Sequence, residues 1–227
     1  MIRVTENLRV IRDLLAKASN AASRDESSVK LLAVSKKQPV AAVLAAAEAG
    51  QRDFGENFVQ EGLQKISAAG RNDLVWHFIG HLQTNKTKAV AAHFAWVHTV
   101  DRLKIAQRLS KQRPAGMDDL NICLQVNIDN EAGKSGLSAD EVLDLARDVA
   151  SLPRIKLRGL MCLPKHRSDF EQQRKPFARL HELLELIQAD GIDVDTLSMG
   201  MSGDYAAAIY EGSTIVRIGT AIFGARD

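Results

Sequence analysis

The chain has 227 residues, 45% of them apolar and 26% charged, the mix of an ordered globular protein rather than a disordered one. Thirty basic residues stand against twenty-eight acidic ones, leaving a formal charge of +2 with no basic block, which argues against a broad phosphate-neutralising face for nucleic acid. The longest uncharged apolar run, "QPVAAVLAAA", is far too short to span a bilayer.

Taken in chain order, "MIRVTENLRVIRDLLAKAS" carries charges every few residues and none of the apolar core of a leader peptide. It predicts an amphipathic helix with Leu8, Ile11, Leu14 and Leu15 on one face. From there two kinds of segment alternate. Short apolar or β-branched runs occur at "VKLLAVSK", "RDFGEN", "LVWHFIG", "FAWVHTV", "LNICLQVNI", "IKLRGLMCL", "DTLSMG" and "STIVRIGT". Helix-like stretches separate them, from "PVAAVLAAAEAG" to "DYAAAIYEG". Pro39 suits a first helical turn, Ser138 suits an N-cap before "ADE", and Gly50 and Gly191 fall at helix ends. The two cysteines, Cys123 and Cys162, lie in separate apolar runs without metal-type spacing and read as buried thiols of a reducing compartment.

Eight strand candidates alternating with helices predict parallel βαβ units, and strands apolar throughout are those covered on both faces. The expected fold is therefore α/β: one (β/α)8 barrel spanning 1–227, preceded by an extra N-terminal helix, with no stretch left for a second domain. The competing doubly wound sheet calls for a glycine-rich turn after the first strand, and "SKKQP" has no glycine.

A barrel of this kind carries its site at the C-terminal ends of the strands. Lys36 emerges there from the first strand, and Lys37 is expected to point elsewhere. The last two strands end in "SMGMSGD" and "RIGT", whose small and hydroxyl-bearing residues let backbone N–H groups approach an anion, as phosphate loops in this fold do. A desolvated lysine favours its neutral form, which condenses with carbonyls. Such an amine opposite a phosphate cradle fits a phosphorylated sugar, as in an aldolase, or pyridoxal 5′-phosphate (PLP). Arg217, two residues before Gly219, tilts the choice to PLP, since an arginine there is able to donate to a pyridine nitrogen.

"AVSK" followed by a proline, "FGEN", "WHFIGHLQTNK", "VNIDNEAGKSG", "LSMGMSGD" and "VRIGTAIFG" together resemble, along nearly the whole chain, the YggS/PROSC family of pyridoxal phosphate homeostasis proteins. Members look like the barrel domain of fold-type III PLP enzymes, the alanine racemase group, without the second β domain. The resemblance implies that Lys36 holds PLP as a Schiff base, that Ser202, Gly219 and Thr220 meet the phosphate, and that Arg217 lies beside the pyridine nitrogen. It places Asn57 and His81 in the cofactor pocket. It also implies storage or delivery of PLP, with apo-enzymes as recipients, rather than a firmly assigned turnover.

Other constellations carry less. His77 and His81 are four apart but belong to a strand and its exit, so they do not share a helix face as two metal ligands would; no metal is expected. "NEAGKSG" has Ile128 where a P-loop needs glycine. Lys134 there reads as a solvated loop lysine or a rim residue that meets phosphate, and Glu56 as a base or a buried hydrogen-bonding group. The enzyme alternative is an amino-acid racemase. It needs a second acid/base on the far side of the substrate, and the only tyrosines are Tyr205 and Tyr210, both after the seventh strand. A cytoplasmic monomer is expected.

Overall fold

A computed structural model describes residues 4–224. Eight parallel strands, β1 (Lys30–Val34), β2 (Asp53–Glu56), β3 (Val75–Phe78), β4 (Trp96–Val100), β5 (Leu120–Val126), β6 (Ile155–Cys162), β7 (Thr196–Ser198) and β8 (Ile215–Ile218), pair in sequence order and close into a barrel. The (β/α)8 expectation is met. Closure comes from β1 against β8, with Leu32 opposite Arg217 and Ala33 opposite Ile218.

Helices α2 (Val40–Glu48), α3 (Val59–Ala69), α4 (Thr87–His93), α5 (Leu103–Gln112), α6 (Val142–Ala150), α7 (Phe170–Ala189) and α8 (Tyr205–Tyr210) connect successive strands, and α9 (Thr220–Phe223) follows β8. Their apolar sides form one continuous core with the outward residues of the strands. Ser138 caps as expected, in a reciprocal pair with Glu141. Gly50 and Gly191 end their helices in the left-handed region at φ 84° and 85°.

The extra helix, α1 (Val4–Ala21), lies outside the barrel against α8 and α9. Its buried face is Val4, Leu8, Ile11, Leu15 and Ser19; Leu14, expected on that face, is exposed. The reason is geometric: at about 100° per residue Ile11 already lies at one edge of the buried stripe, and Leu14, three residues on, falls beyond that edge. Asn7 Nδ2 donates to Ile222 O at 2.9 Å, and Arg24 Nη1 donates to Ile209 O and Ser213 O at 2.9 and 2.7 Å, fastening the helix to the last βα units. Among the described residues, no helix is long and apolar enough to cross a membrane.

Within the barrel, Leu32, Trp96, Cys123, Met161 and Ile215 form a separate apolar cluster. Burial pushes the Cys123 and Cys162 thiols up to about 12, so both stay protonated. The same interior holds His77, His98, Ser198 and Arg217, all buried. His77 stacks on Trp96 with ring centroids 5.4 Å apart. Burial holds both imidazoles below the ordinary histidine range, His98 well below it, with the Arg217 charge adding to the effect on His98.

Neutral buried histidines give the fold an acid limit. Below the unfolded value of about 6.5 the unfolded chain takes up protons that the folded chain refuses, so stability falls as pH falls. The loss approaches about 1.4 kcal/mol per pH unit for each histidine until the folded values are reached. Urea midpoints measured at intervals from pH 7.5 to 5.5 are expected to decline, and a flat profile would contradict neutral His77 and His98.

Candidate functional site

Lys36 follows β1 at the C-terminal end of the barrel, in a turn held by a buried charge cluster. Lys65, on α3 and only 6% exposed, donates to Ser35 O at 2.5 Å, Glu56 Oε1 at 2.8 Å and Glu61 Oε1 at 2.6 Å. That uses every N–H of its ammonium. Ser35 Oγ donates to Glu56 Oε1 at 2.6 Å, and the backbone N–H of Lys37 donates to Glu61. Burial raises the Glu56 carboxyl, with the hydrogen bonds from Lys65 and Ser35 pulling the other way. Glu56 is thus a buried anchor rather than an open base. Lys37 sits in the left-handed region at φ 59°, and this turn sends its side chain to solvent while Lys36 lines the mouth.

A cavity of about 320 Å³ opens there, lined by Lys36, Asn57, Ser202, Gly203, Arg217, Gly219 and Thr220 with apolar Val34, Met161, Leu163 and Met201. Six of the seven residues singled out from sequence therefore share one cavity. His81 does not. It is exposed and lines an adjoining space of about 420 Å³ with Gln125, Asn127, Lys134 and Ser135, its Nδ1 3.3 Å from Ser135 Oγ. Asn57, Ile79, Leu163 and Met201 border both spaces. His81, which the resemblance put in the cofactor pocket, lies on the space that adjoins the Lys36 cavity.

The end of β7 leads into a tight turn in which Asp204 N and Tyr205 N donate to Met201 O at 3.1 and 2.9 Å, while Asp204 Oδ1 accepts from Met201 N at 2.6 Å. The amides of Ser202 and Gly203 take no part in those bonds, and no heavy atom lies within 4 Å of where a Gly203 side chain would begin. Gly219 precedes α9, whose first residue is Thr220. Hydroxyls and backbone N–H groups of this kind suit an anion.

Arg217 closes the floor. Its Nη1 donates to Ser198 O at 2.5 Å and Ser198 Oγ at 2.8 Å, and its Nη2 to Cys162 O at 2.9 Å. Burial lowers its pKa, yet a guanidinium remains charged. Asn57 is fixed through Gly80: a Cβ at Gly80 would lie 1.9 Å from Asn57 O, so only glycine allows the approach. Asn57 lines the cavity, and its Oδ1 is buried without a protein partner.

The alanine racemase N-terminal domain family matches residues 4–227. The pyridoxal phosphate homeostasis protein of Pseudomonas aeruginosa is 53% identical over the whole chain and 97% of its own length. That of Escherichia coli K12 is 48% identical over 99% of this chain and 97% of its own. This chain belongs to the pyridoxal phosphate homeostasis protein family. Among solved structures, PipY of Synechococcus elongatus with PLP bound aligns at TM-score 0.85 and 33% identity, over 98% of this chain and all of PipY. Alanine racemase of Corynebacterium glutamicum aligns at TM-score 0.74 and 16% identity, over 98% of this chain but 61% of the racemase, and shows the fold alone.

Within this family fold, two parts of the site were missed in the sequence. Lys65 was passed over, although its spacing of four from Glu61 on a helix was a signal for an ion pair. Ser198 was read only as part of a small-residue loop, and nothing local ties it to Arg217 nineteen residues later.

Replacing Lys65 with Met would leave the Glu56 carboxylate buried without its charge partner, at a cost of about 3–5 kcal/mol. Urea unfolding is expected to show that loss for Lys65→Met. The double variant Lys65→Met/Glu56→Gln should recover part of it; no recovery would mean that the cluster is not what holds the turn.

Proposed function

We propose that this chain binds pyridoxal 5′-phosphate and serves in cellular PLP homeostasis, holding the cofactor through Lys36 for storage or delivery to apo-enzymes. The observation that carries this reading is the meeting, in one cavity, of an amine from the end of β1, hydroxyls and open amides from the loops after β7 and β8, and a buried guanidinium on β8. These donors match the three parts of PLP: aldehyde, phosphate and pyridine nitrogen. The family relatives carry the homeostasis name, and PipY is described with PLP bound.

Bound PLP supplies an aldehyde that a lysine amine captures reversibly. In this reading Ser202 and Thr220 donate their hydroxyl protons to the phosphate, joined by the amides of Gly203 and Gly219. Arg217 donates to the ring nitrogen. Having no proton acceptor, it favours an unprotonated ring and so restrains electron withdrawal from a substrate, which suits holding the cofactor over turning substrates over. His81 and Lys134, across the adjoining space, stand where molecules approach the bound cofactor.

The racemase alternative gains nothing from the tyrosines. Tyr205 packs on the outer core, and Tyr210 is exposed, beneath the Arg174 guanidinium at 3.9 Å and edge-on to Phe170. We place the protein in the cytoplasm as a monomer, consistent with its buried unpaired thiols.

Loaded wild type is expected to be yellow and to give a borohydride-fixed PLP adduct on the Lys36 peptide by mass spectrometry. Lys36→Ala should lose the colour and the adduct while retaining its far-UV circular dichroism. A main adduct at another lysine would overturn the assignment. Rapid exchange of the alanine Cα hydrogen in deuterated water would favour the racemase reading instead.

A further inference from the structure

Side chains from β8, β7, β4, β3 and β2 meet across the barrel interior in an unbroken series. Arg217 Nη1 lies 2.8 Å from Ser198 Oγ, and that oxygen lies 2.8 Å from His98 Nδ1. His98 Nε2 is 2.9 Å from His77 Nδ1, and His77 Nε2 is 3.0 Å from Asp53 Oδ1. Lys30, the first residue of β1, completes the series 3.0 Å from the same carboxylate oxygen. The path thus descends from the cavity at the C-terminal mouth to the opposite end of the barrel, where Lys30 and Asp53 line a separate surface cavity.

Hydrogen-bonding capacity fixes the direction of every link. Arginine only donates, so Ser198 Oγ accepts from Arg217. A carboxylate only accepts, so the proton between His77 and Asp53 sits on His77 Nε2. Neutral imidazole has one donor and one acceptor. His77 Nδ1 therefore accepts from His98 Nε2, and His98 Nδ1 accepts from the Ser198 hydroxyl. The Asp53 end dictates this polarity, the Arg217 end is compatible with it, and no two donors or two acceptors face each other. Burial, which keeps both imidazoles neutral, agrees with this assignment. Asp53, by contrast, stays ionised: burial opposes its charge, but His77 and Lys30 outweigh it and lower its pKa.

We infer that Ser198, His98, His77 and Asp53 are positioning residues for Arg217, forming a one-way hydrogen-bond chain that fixes the guanidinium and its donor strength toward the cavity. The inference rests on the reading of that cavity as a PLP site. Without the chain, the Ser198 hydroxyl could turn its proton toward Arg217 and set donor against donor. With it, the serine proton is committed to His98 and its lone pairs to Arg217. Three of the five guanidinium N–H groups are then engaged by Ser198 and Cys162, leaving two for the ligand. A bank of neutral dipoles ending in the Asp53–Lys30 pair tunes the arginine without adding net charge beside it.

Nitrogen NMR of histidine-labelled apo-protein tests the polarity directly: His77 and His98 are both expected as Nε2–H tautomers, and Nδ1–H in either overturns the chain. Ser198→Ala, loaded with PLP, is expected to shift the visible band and to weaken PLP binding about tenfold, while a borohydride-fixed adduct still forms on Lys36. Ser198→Thr, which restores the hydroxyl, should return both toward wild type. Asp53→Asn removes the acceptor-only end and should mix the His98 tautomers and move the band, with unchanged adduct yield and far-UV circular dichroism. A purely structural role would leave tautomers and band untouched in a folded Asp53→Asn protein, and that result would overturn the inference. If wild type forms no Lys36 adduct with PLP, the site reading fails and the role of Arg217 fails with it, independently of the tautomers.

Discussion

An open parallel sheet has an unpaired edge at each side, and here both edges are removed by the ladder between β1 and β8. The register of that seam runs from Lys30 opposite Ile215 to Ala33 opposite Ile218, with Leu32 opposite Arg217. It brings the turn after β1, with Lys36, beside the turn after β8, with Gly219 and Thr220, although nearly the whole chain lies between them. The β7 loop then falls next to β8 by simple adjacency. Amine, anion loops and guanidinium are therefore neighbours because the barrel is closed, and the cavity is a consequence of that closure.

The molecule spends polar residues inside the barrel in two distinct ways. Around Lys65 it buries full charges, and the cluster is tolerable because the ammonium meets two carboxylates and a carbonyl at 2.5–2.8 Å. Along the His77–His98 path it buries neutral groups, each donor matched to one acceptor, with full charges only at the ends. The first arrangement holds a backbone turn rigid under Lys36. The second holds a side chain, Arg217, whose charge faces the cavity. Both fix groups that a ligand would otherwise have to order on binding, which lowers the entropic cost of capture.

This division fits a protein that retains a reactive cofactor. A captured aldehyde needs an amine in a defined place, a phosphate anchor and limited activation of the ring, and the cavity offers these without a tyrosine on its wall. The adjoining space with His81 and Lys134 leaves the site open on one side.

Periodicity alone made the barrel legible: eight short apolar runs separated by helices admit few arrangements, and an apolar run such as 31–34 is buried on both faces. The strand-end rule pointed to Lys36, Arg217 and the loops after the last two strands, because a residue's place along its strand is a local property, while Asn57 and the phosphate roles of Ser202, Gly219 and Thr220 were implied by the family resemblance. What the sequence could not contain was distance across the barrel. His81, three residues past the end of β3, lines the neighbouring space with residues of the loop after β5. Leu14 leaves the face that α1 buries because the outer wall of α8 and α9 accepts only one stripe of that helix. Ser198 meets His98 across a separation of one hundred residues, and His77 meets Asp53 across twenty-four. Side-chain alternation says which residues face the barrel axis, but which of them touch is set by strand stagger and closure, and these exist only once the chain has folded.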